Sequence, residues 1–296
     1  MRTLTVNDYA KQIQLHQPFE STTLPQCSEA ELVDVLLETL SSTLRGFGLQ
    51  DTTPLIAAEK RSLLDAAITV LPPHGLNEKG KAALDALLTK EREKRDITYA
   101  NALRPFVTIG KTNIVLWRGD ITTLNVDAIL NAANSQLLGC FLPHHKCIDN
   151  AIHNRAGVQL REDCDAIIRL QGAEEPTAAA KITRGYNLPS RYVIHSVGPI
   201  VQGAVSEESE RLLAQAYTKV LSATQSVDNI RSLALCSLST GVFGYPIEKA
   251  TPVALKTVAE WLNRNPDALD VVVFNVFSER DYDVYQSELE EFVCNN

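Results

Sequence analysis

The segment Asp-Ala-Ile-Leu-Asn-Ala-Ala-Asn at residues 127–134 begins as an apolar run and ends on polar residues. Such a short apolar run is typical of a buried β-strand. Five further runs of this kind follow or precede it. The six predicted strands are 113–119, 127–133, 178–186, 191–198, 232–238 and 270–277, and helices are predicted near 147–171, 207–227, 247–263 and 279–293. Strands that alternate with helices indicate an α/β fold with a sheet covered by helices on both faces.

The first third of the chain has a different character, because its apolar residues recur at helical spacing. Ser28 and Glu31 have the spacing of a capping box that would begin the first helix. Helical segments are predicted at 32–40, 53–71 and 77–95, and we find no strand alternation among them. We therefore predict a helical N-terminal region at residues 1–105 and an α/β domain at residues 106–296.

Composition and charge narrow the classes of function. The net charge of −8 disfavours a large nucleic-acid interface, which requires a basic face. The sequence has no apolar run of about 18 residues, so we expect no membrane span. The N-terminus lacks the apolar core of a signal peptide, which predicts a cytoplasmic protein. In that compartment the six cysteines are expected to be buried or metal-bound rather than in disulfides.

The segment Cys-Phe-Leu-Pro-His-His-Lys-Cys at residues 140–147 holds two thiols and two imidazoles within eight residues. Sulfur and nitrogen donors are those that Zn²⁺ prefers. Two cysteines and one histidine would leave a fourth coordination position open, as in catalytic zinc sites. The alternative is a loop with two buried thiols and two exposed histidines. Spacing alone does not decide which of His144 and His145 would bind.

Three more polar segments follow predicted strands, where ligands bind in folds of this kind. Asn131 to Asn134 could hydrogen-bond sugar hydroxyls, or form a turn. The glycine-containing segment 239–246 could turn backbone N–H groups toward a phosphate, or serve as a connector. Asp120 could accept a hydrogen bond from an exocyclic amine such as that of adenine, or cap the following turn.

Acidic and imidazole side chains also occur together in the predicted helix that follows Cys147. Asp149 lies near the N-terminal end of that helix, where the helix dipole favours a negative charge. It could orient a water molecule or a ribose hydroxyl. His153 lies four residues further on the same face, so a structural pair with Asp149 is the simpler interpretation. His195, inside an apolar strand, is expected to be a core histidine.

Taken in order, these motifs resemble those of a macrodomain over residues 105–294. The similar segments are GDIT at 119–122, NAAN at 131–134, Asp-Asn-Ala-Ile-His at 149–153, VIHSVGP at 193–199 and STGVFGYP at 239–246. The loop after NAAN lacks the glycine run of common hydrolytic macrodomains. It is similar instead to the Cys-x4-His-x-Cys signature of the zinc-dependent macrodomain family of microbes, as is the helical N-terminal region. The resemblance implies a mixed macrodomain sheet and zinc ligands Cys140, His145 and Cys147.

The resemblance also implies an activity, namely zinc-dependent removal of mono-ADP-ribose from proteins by cleavage of a glycosidic or ester bond. Asp120 and Ile121 would contact adenine, and Asn134 would position the distal ribose. Asn134 and Asp149 are the expected catalytic residues. The diphosphate would lie on the loop of Ser239, Thr240, Gly241, Val242, Phe243, Gly244 and Tyr245.

Partners and alternative activities follow from the same resemblance. Some family members act on a lipoyl-carrier protein that a sirtuin-type transferase modifies, so these are the implied partners besides ADP-ribose and the modified protein. The first alternative is a non-catalytic reader that binds ADP-ribose and uses zinc only to shape the loop. The second is a hydrolase of small ADP-ribose derivatives.

Overall fold

The computed structural model describes residues 3–49 and 51–295 and contains a central mixed sheet with helices on both sides. The strands are β1 (Thr98–Tyr99), β2 (Val107–Ile109), β3 (Thr112–Arg118), β4 (Leu124–Asn125), β5 (Ala128–Ala132), β6 (Ala180–Arg184), β7 (Tyr192–Ser196), β8 (Ser232–Cys236) and β9 (Val271–Val276). The helices are α1 (Val6–Tyr9), α2 (Glu29–Thr39), α3 (Ser41–Gly46), α4 (Ala57–Val70), α5 (Glu78–Glu93), α6 (Ile148–Ala156), α7 (Val158–Gln171), α8 (Glu207–Thr224), α9 (Ile247–Arg264) and α10 (Glu279–Asn295).

The main sheet has seven strands in the order β2-β3-β9-β8-β5-β7-β6. The five inner strands run parallel, while β2 and β6 pair antiparallel at the two edges. The predicted α/β fold with a mixed sheet between helices is therefore confirmed. Because the inner strands are parallel, their carboxyl ends meet at one edge of the sheet, where ligands bind in open α/β folds.

All six predicted strands are present, each within about two residues of its expected bounds. Three short strands, β1, β2 and β4, were not predicted, because two or three residues carry no readable periodicity. In particular, β1 pairs with β4, so the expectation of no strand in the first 105 residues was wrong. The single helix predicted near 147–171 was also wrong. It is divided into α6 and α7 at Gly157, whose φ of 100° a side-chain-bearing residue rarely adopts.

The helical N-terminal region contributes to two apolar cores. Helices α2, α4 and α5 pack their leucines into a small core of their own, which Val158 of α7 joins. The segment around Tyr9 packs instead into the main core, and the Tyr9 hydroxyl accepts a hydrogen bond from the Ile182 backbone N–H at 2.9 Å. The predicted capping box is confirmed, since Ser28 Oγ accepts from the Glu31 N–H and the Glu31 carboxylate accepts from the Ser28 N–H. The boundary at residue 105 stays a prediction.

Among the described residues, no helix combines the length and the apolar character that are needed to cross a membrane.

Candidate active site

A cleft of about 640 Å³ lies at the carboxyl ends of β5, β8 and β9, and we call it the ligand cleft. Residues 132–134, 139–142, 145–149, 236–237, 239–243 and 275–277 line it, together with Gln136, Gly198 and Asp281. Three of the motifs singled out from the sequence therefore meet in one place: residues 131–134 and 140–147 are close in sequence, whereas segment 239–246 begins about 90 residues later. They meet because the strands that carry or precede them are neighbours in the sheet.

The two thiols and one imidazole of residues 140–147 converge on one wall of the cleft. Cys140 Sγ, the His145 ring nitrogen and Cys147 Sγ all lie within 4.8 Å of one another. Cys140 Sγ is 3.5 Å from His145 Nδ1. A soft donor set of two sulfurs and one nitrogen at this spacing fits Zn²⁺. His145 is the histidine of this group, whereas His144 occupies the preceding turn with a φ of 60°.

Cys147 also begins helix α6, where its sulfur accepts a hydrogen bond from the Asn150 backbone N–H at 3.4 Å. Burial, with smaller contributions from Cys140 and Asp149, raises the pKa of the Cys147 thiol to about 12 against the lowering effect of the Asn150 N–H. Without a cation the Cys147 thiol therefore stays protonated. A thiolate at this position requires a positive charge beside it.

Asp149 is a buried carboxyl group on the floor of the ligand cleft. Its Oδ1 accepts a hydrogen bond from Asn131 Nδ2 at 2.7 Å and lies 3.4 Å from His153 Nε2. His153 thus lies beside Asp149, as the helical spacing suggested, but neither of its ring nitrogens has a hydrogen-bond partner among the described residues. Burial also holds the pKa of His153 well below its usual value, so the two side chains do not form an ion pair. Among the described residues, Oδ2 of Asp149 has no hydrogen-bond partner. Burial raises the pKa of Asp149 to about 6, against the lowering effects of Asn131 and Arg161.

The two asparagines of the NAAN segment have different roles. Asn131 is fully buried, and its Nδ2 lies 2.7 Å from Asp149 and 3.1 Å from His195 Nδ1. Asn134 lies at the cleft, where Nδ2 donates to the Gly139 carbonyl at 2.9 Å and Oδ1 accepts from the Gln136 N–H at 3.0 Å. The turn-forming interpretation of Asn134 therefore holds. Its second Nδ2 hydrogen is left for a ligand, so the expected contact with a ribose stays a prediction.

The loop after β8 lines the cleft and leaves several of its backbone N–H groups without an acceptor among the described residues. Its own hydrogen bonds use the N–H groups of Gly244 and Tyr245, which donate to the carbonyls of Gly241 and Ser239 at 3.0 Å each. Within the described part of the chain, no acceptor is bound by the four N–H groups of Thr240, Gly241, Val242 and Phe243. Four consecutive unpaired N–H groups beside a cleft form an anion-binding concavity.

The structure places the members of this loop differently. Residues 239–243 line the cleft, whereas Gly244 and Tyr245 are outside its lining and Tyr245 is buried. Gly244 has a φ of 71°, and a side chain there would meet the Val201 carbonyl oxygen at 2.8 Å. Gly244 is thus required by the turn.

Asp120 lies outside the lining of the main cleft. Its carboxylate caps a short 3₁₀ turn at residues 121–123 by accepting from the Thr122 N–H at 2.9 Å, and it pairs with Arg95 at 2.8 Å. The capping interpretation of Asp120 is therefore confirmed. Asp120 lines a neighbouring cleft of about 240 Å³ that also borders His145 and Cys147, while Ile121 is buried. Contact of Asp120 and Ile121 with adenine stays a prediction.

Sequence reasoning missed several cleft residues at the end of β9. Asn275 and Phe277 line the cleft, and the Phe277 side chain is 80% exposed. Phe141 and Leu142 line it as well, whereas the sequence predicted a role only for the sulfur and nitrogen donors of their loop. Phe277 could have been predicted, because it is the last residue of the predicted strand 270–277 and ligands bind at the carboxyl ends of strands in such folds.

Beneath the cleft, His195 is a buried imidazole with neutral neighbours. Its Nε2 lies 3.0 Å from Thr183 Oγ1 and 3.7 Å from Cys164 Sγ, and its ring packs beside that of His153. Burial lowers the pKa of His195 to about 3. The interpretation of His195 as a core histidine agrees with this environment.

A pH dependence of stability follows from His195. In the unfolded chain the pKa of His195 is near 6.5. Below that pH the unfolded state binds a proton that the folded state does not bind, so the free energy of unfolding decreases as the pH falls. Between pH 7 and pH 5 we expect the wild-type protein to lose about 2 kcal/mol more unfolding free energy than His195→Gln. Urea unfolding of metal-free protein at both pH values measures this difference. Equal losses in the two proteins would contradict the assignment.

The fold and the cleft define an α/β protein with a cleft at the carboxyl edge of its sheet, and comparison with known proteins names the family. Residues 130–254 match the model of the Macro domain family. A protein-ADP-ribose hydrolase of Treponema medium is 44% identical over 227 residues, which is 77% of this chain and 86% of that protein. The protein-ADP-ribose hydrolase of Staphylococcus aureus strain MRSA252 is 44% identical over 218 residues, which is 73% of this chain and 80% of that protein. The chain therefore belongs to the macro domain family, with protein-ADP-ribose hydrolases among its relatives.

Solved structures agree with this assignment. The macrodomain of Oceanobacillus iheyensis with ADP is 38% identical, has a TM-score of 0.58, and corresponds to 64% of this chain and 96% of its own. The Trypanosoma brucei macrodomain in complex with ADP-ribose is 31% identical with a TM-score of 0.57, over 72% of this chain and 90% of its own. The macrodomain fold predicted from the sequence motifs is thus confirmed.

Proposed function

We propose that the protein removes mono-ADP-ribose from modified proteins by hydrolysis in the ligand cleft. The observation that carries this proposal is the row of unpaired N–H groups at residues 240–243, which lines the same cleft as the Cys140–His145–Cys147 group. The relatives named protein-ADP-ribose hydrolases support the activity. The macrodomain structure with bound ADP-ribose supports the ligand.

The cleft residues would divide the ligand among them. The N–H groups of residues 240–243 donate to the diphosphate oxygens, which need no lysine or arginine when several amides point at one anion. Asn134 donates its free Nδ2 hydrogen to a hydroxyl of the distal ribose. Asp120 and Ile121 face the adenine as the family resemblance implies, and the exposed ring of Phe277 offers a stacking surface for the base.

Cys140, His145 and Cys147 would hold a zinc ion beside the distal ribose. Three protein ligands leave one position for a ribose hydroxyl or a water molecule. When bound, zinc supplies a Lewis acid that withdraws charge from that oxygen and lowers its pKa. The raised pKa of Cys147 in the metal-free protein indicates that binding a metal would release a proton from this thiol.

Asp149 would handle the proton of the attacking group. Asn131 holds Oδ1 in place at 2.7 Å, which leaves Oδ2 for a hydroxyl or water in the cleft. A buried carboxyl oriented in this way can act as a base or fix the direction of a nucleophile. Asn134 and Asp149 are therefore the proposed catalytic residues. Asn134 holds the distal ribose, and Asp149 accepts the proton of the attacking group or orients that group.

Product formation separates this proposal from its alternatives. We expect the protein to release free ADP-ribose from a mono-ADP-ribosylated protein, and to lose this activity after treatment with a zinc chelator. Binding of ADP-ribose without release would instead show a reader. Faster cleavage of a small ADP-ribose ester than of a modified protein would show a hydrolase of small derivatives.

The proposed target follows the family resemblance. A lipoyl-carrier protein modified by a sirtuin-type transferase is the implied substrate and stays a prediction, as does the cytoplasmic location. A Fusarium oxysporum relative, named as a probable bifunctional ADP-ribose hydrolase/ADP-ribosyltransferase, is 40% identical over 254 residues, or 81% of this chain and 42% of that protein. That name supports a functional link between this kind of hydrolase and a transferase.

A further inference from the structure

The helical N-terminal region contacts the segment that carries the proposed metal ligands. We call residues 140–147 the metal-ligand loop. The C-terminal end of α4 lies next to this loop, and two chains of contacts lead from α4 to opposite ends of the loop. One passes through Arg161 of α7 and the other through Asn150 of α6.

The first chain of contacts runs from α4 to Phe141. Nη1 of Arg161 donates to the carbonyl oxygens of Ile68, in the last turn of α4, at 3.1 Å, and of Leu71, the residue that follows α4. The guanidinium carbon of Arg161 lies 4.7 Å from the centroid of the Phe141 ring. Phe141 directly follows the proposed ligand Cys140, so this stacking holds the start of the loop.

The environment of Arg161 indicates that α4 is needed to keep its side chain in place. Arg161 is 4% exposed, and within the described ranges no carboxylate forms a direct ion pair with it, although the charge of Asp149 acts on it from a longer distance. A buried cation needs other compensation. The carbonyl oxygens at a helix C-terminus carry partial negative charge, and the face of an aromatic ring attracts a cation. Both sources of compensation are present here, one from α4 and one from the loop.

The second chain of contacts runs from α4 to the other end of the loop. The Thr69 hydroxyl of α4 has one hydrogen for two acceptors, the Asp65 carbonyl at 2.8 Å and Asn150 Oδ1 at 3.1 Å. Its oxygen accepts a hydrogen bond from Asn154 Nδ2 at 3.1 Å, and that amide nitrogen also lies 3.4 Å from Asn150 Oδ1. Asn150 Nδ2 donates to the His145 carbonyl oxygen at 3.1 Å, and the Asn150 N–H donates to Cys147 Sγ. Thr69, Asn150 and Asn154 are all buried. This network holds the two ligands at the end of the loop.

We propose that the helical N-terminal region holds the metal-ligand loop in the shape that binds the metal, with Arg161 and Asn150 as positioning residues. The inference rests on the proposed zinc site. The loop needs such support because His144 adopts a φ of 60°, which a residue with a side chain keeps only when its surroundings impose it. Residues that orient metal ligands commonly contribute about 10-fold to 100-fold to metal affinity.

Two variants test the proposal in the full chain. Thr69→Val keeps the shape of the side chain but removes its hydroxyl group, and Arg161→Lys cannot bond two carbonyls while stacking on Phe141. We expect each to weaken zinc binding about 10-fold in a chelator competition. Hydrogen exchange of residues 140–147 should accelerate in the metal-free proteins. Saturating zinc should restore kcat, because all three ligands are still present.

Lys81→Met is the matched control. Lys81 of α5 pairs with Glu162 of α7 at 2.9 Å, so it links the same two parts of the molecule without touching the loop. We expect its zinc affinity and loop exchange to equal those of the wild type. Unchanged values in Thr69→Val and Arg161→Lys, or equal changes in Lys81→Met, would overturn the inference. A wild-type protein that binds no zinc would instead refute the proposed metal site. Hydrogen exchange of residues 140–147 in the metal-free proteins would still test whether α4 holds the loop.

Discussion

Replacing Cys147 by alanine is expected to reduce zinc content to background and to slow ADP-ribose release about 1,000-fold. The expected size reflects the several kcal/mol that a metal Lewis acid contributes, at about 1.4 kcal/mol per tenfold in rate. Cys147 is both a proposed ligand and the N-cap of α6, where its sulfur accepts from the Asn150 N–H. Metal analysis and single-turnover release of ADP-ribose from a modified protein measure the two effects. Circular dichroism checks that the overall helix content is unchanged.

The neighbouring histidines provide a matched pair for the same experiment. His145→Ala should lose zinc and activity as Cys147→Ala does, because His145 Nδ1 lies 3.5 Å from Cys140 Sγ. His144→Ala should keep both, since His144 is not part of the converging group. Zinc-free Cys147→Ala protein with full activity would refute the metal mechanism. Loss of zinc in His144→Ala alone would show that the wrong histidine was assigned.

The sheet could be predicted from the sequence because its inner strands are buried on both faces. A strand such as β5 then becomes a continuous apolar run that ends at Asn131, and its type and position are readable from local sequence. The edge strand β2 has three residues and pairs on one side only, so its sequence carries no such signal. The break at Gly157 was missed because a single glycine is tolerated within many helices.

Only part of the candidate site could be predicted from the sequence. The donors of residues 140–147 are close in sequence, and their chemistry is evident from residue types alone. The contact between Asn131 and Asp149 joins a strand to a helix across the fold, so it depends on packing that local sequence does not encode. For the same reason the sequence indicated a role for Asn134, which stays a prediction, but not the contact of Asn131 with the Asp149 carboxyl group.

The support that α4 gives to the metal-ligand loop was not predictable either. In the sequence Thr69 has no feature that distinguishes it from other residues of an apolar helix. Only the folded structure shows its contact with Asn150, which is 81 residues away along the chain. From the sequence alone, the helical N-terminal region could bury a face of the α/β domain or dock a protein substrate. Its contacts with Arg161 and Asn150 support the third role proposed above, which is to hold the metal-ligand loop in the shape that binds the metal.

Replacing Asp149 by asparagine is expected to slow ADP-ribose release about 100-fold to 10,000-fold, the usual contribution of a group that transfers a proton in the transition state. Asparagine keeps an Oδ1 that can accept the hydrogen bond from Asn131, so the side chain should keep its position. Its amide cannot take up a proton as a carboxylate does. Binding of ADP-ribose, measured by calorimetry, and zinc content should therefore stay at wild-type values while kcat falls.

Asp163→Asn is the matched control for this prediction, because Asp163 is also a buried carboxyl group but bonds Tyr186 away from the ligand cleft. It should leave kcat unchanged. Wild-type turnover in Asp149→Asn would assign the proton transfer to another group and leave Asp149 a structural partner of Asn131 and His153. A fall in ADP-ribose affinity equal to the fall in kcat would show that Asp149 positions the ligand. Only a loss confined to kcat identifies Asp149 as the residue that moves the proton.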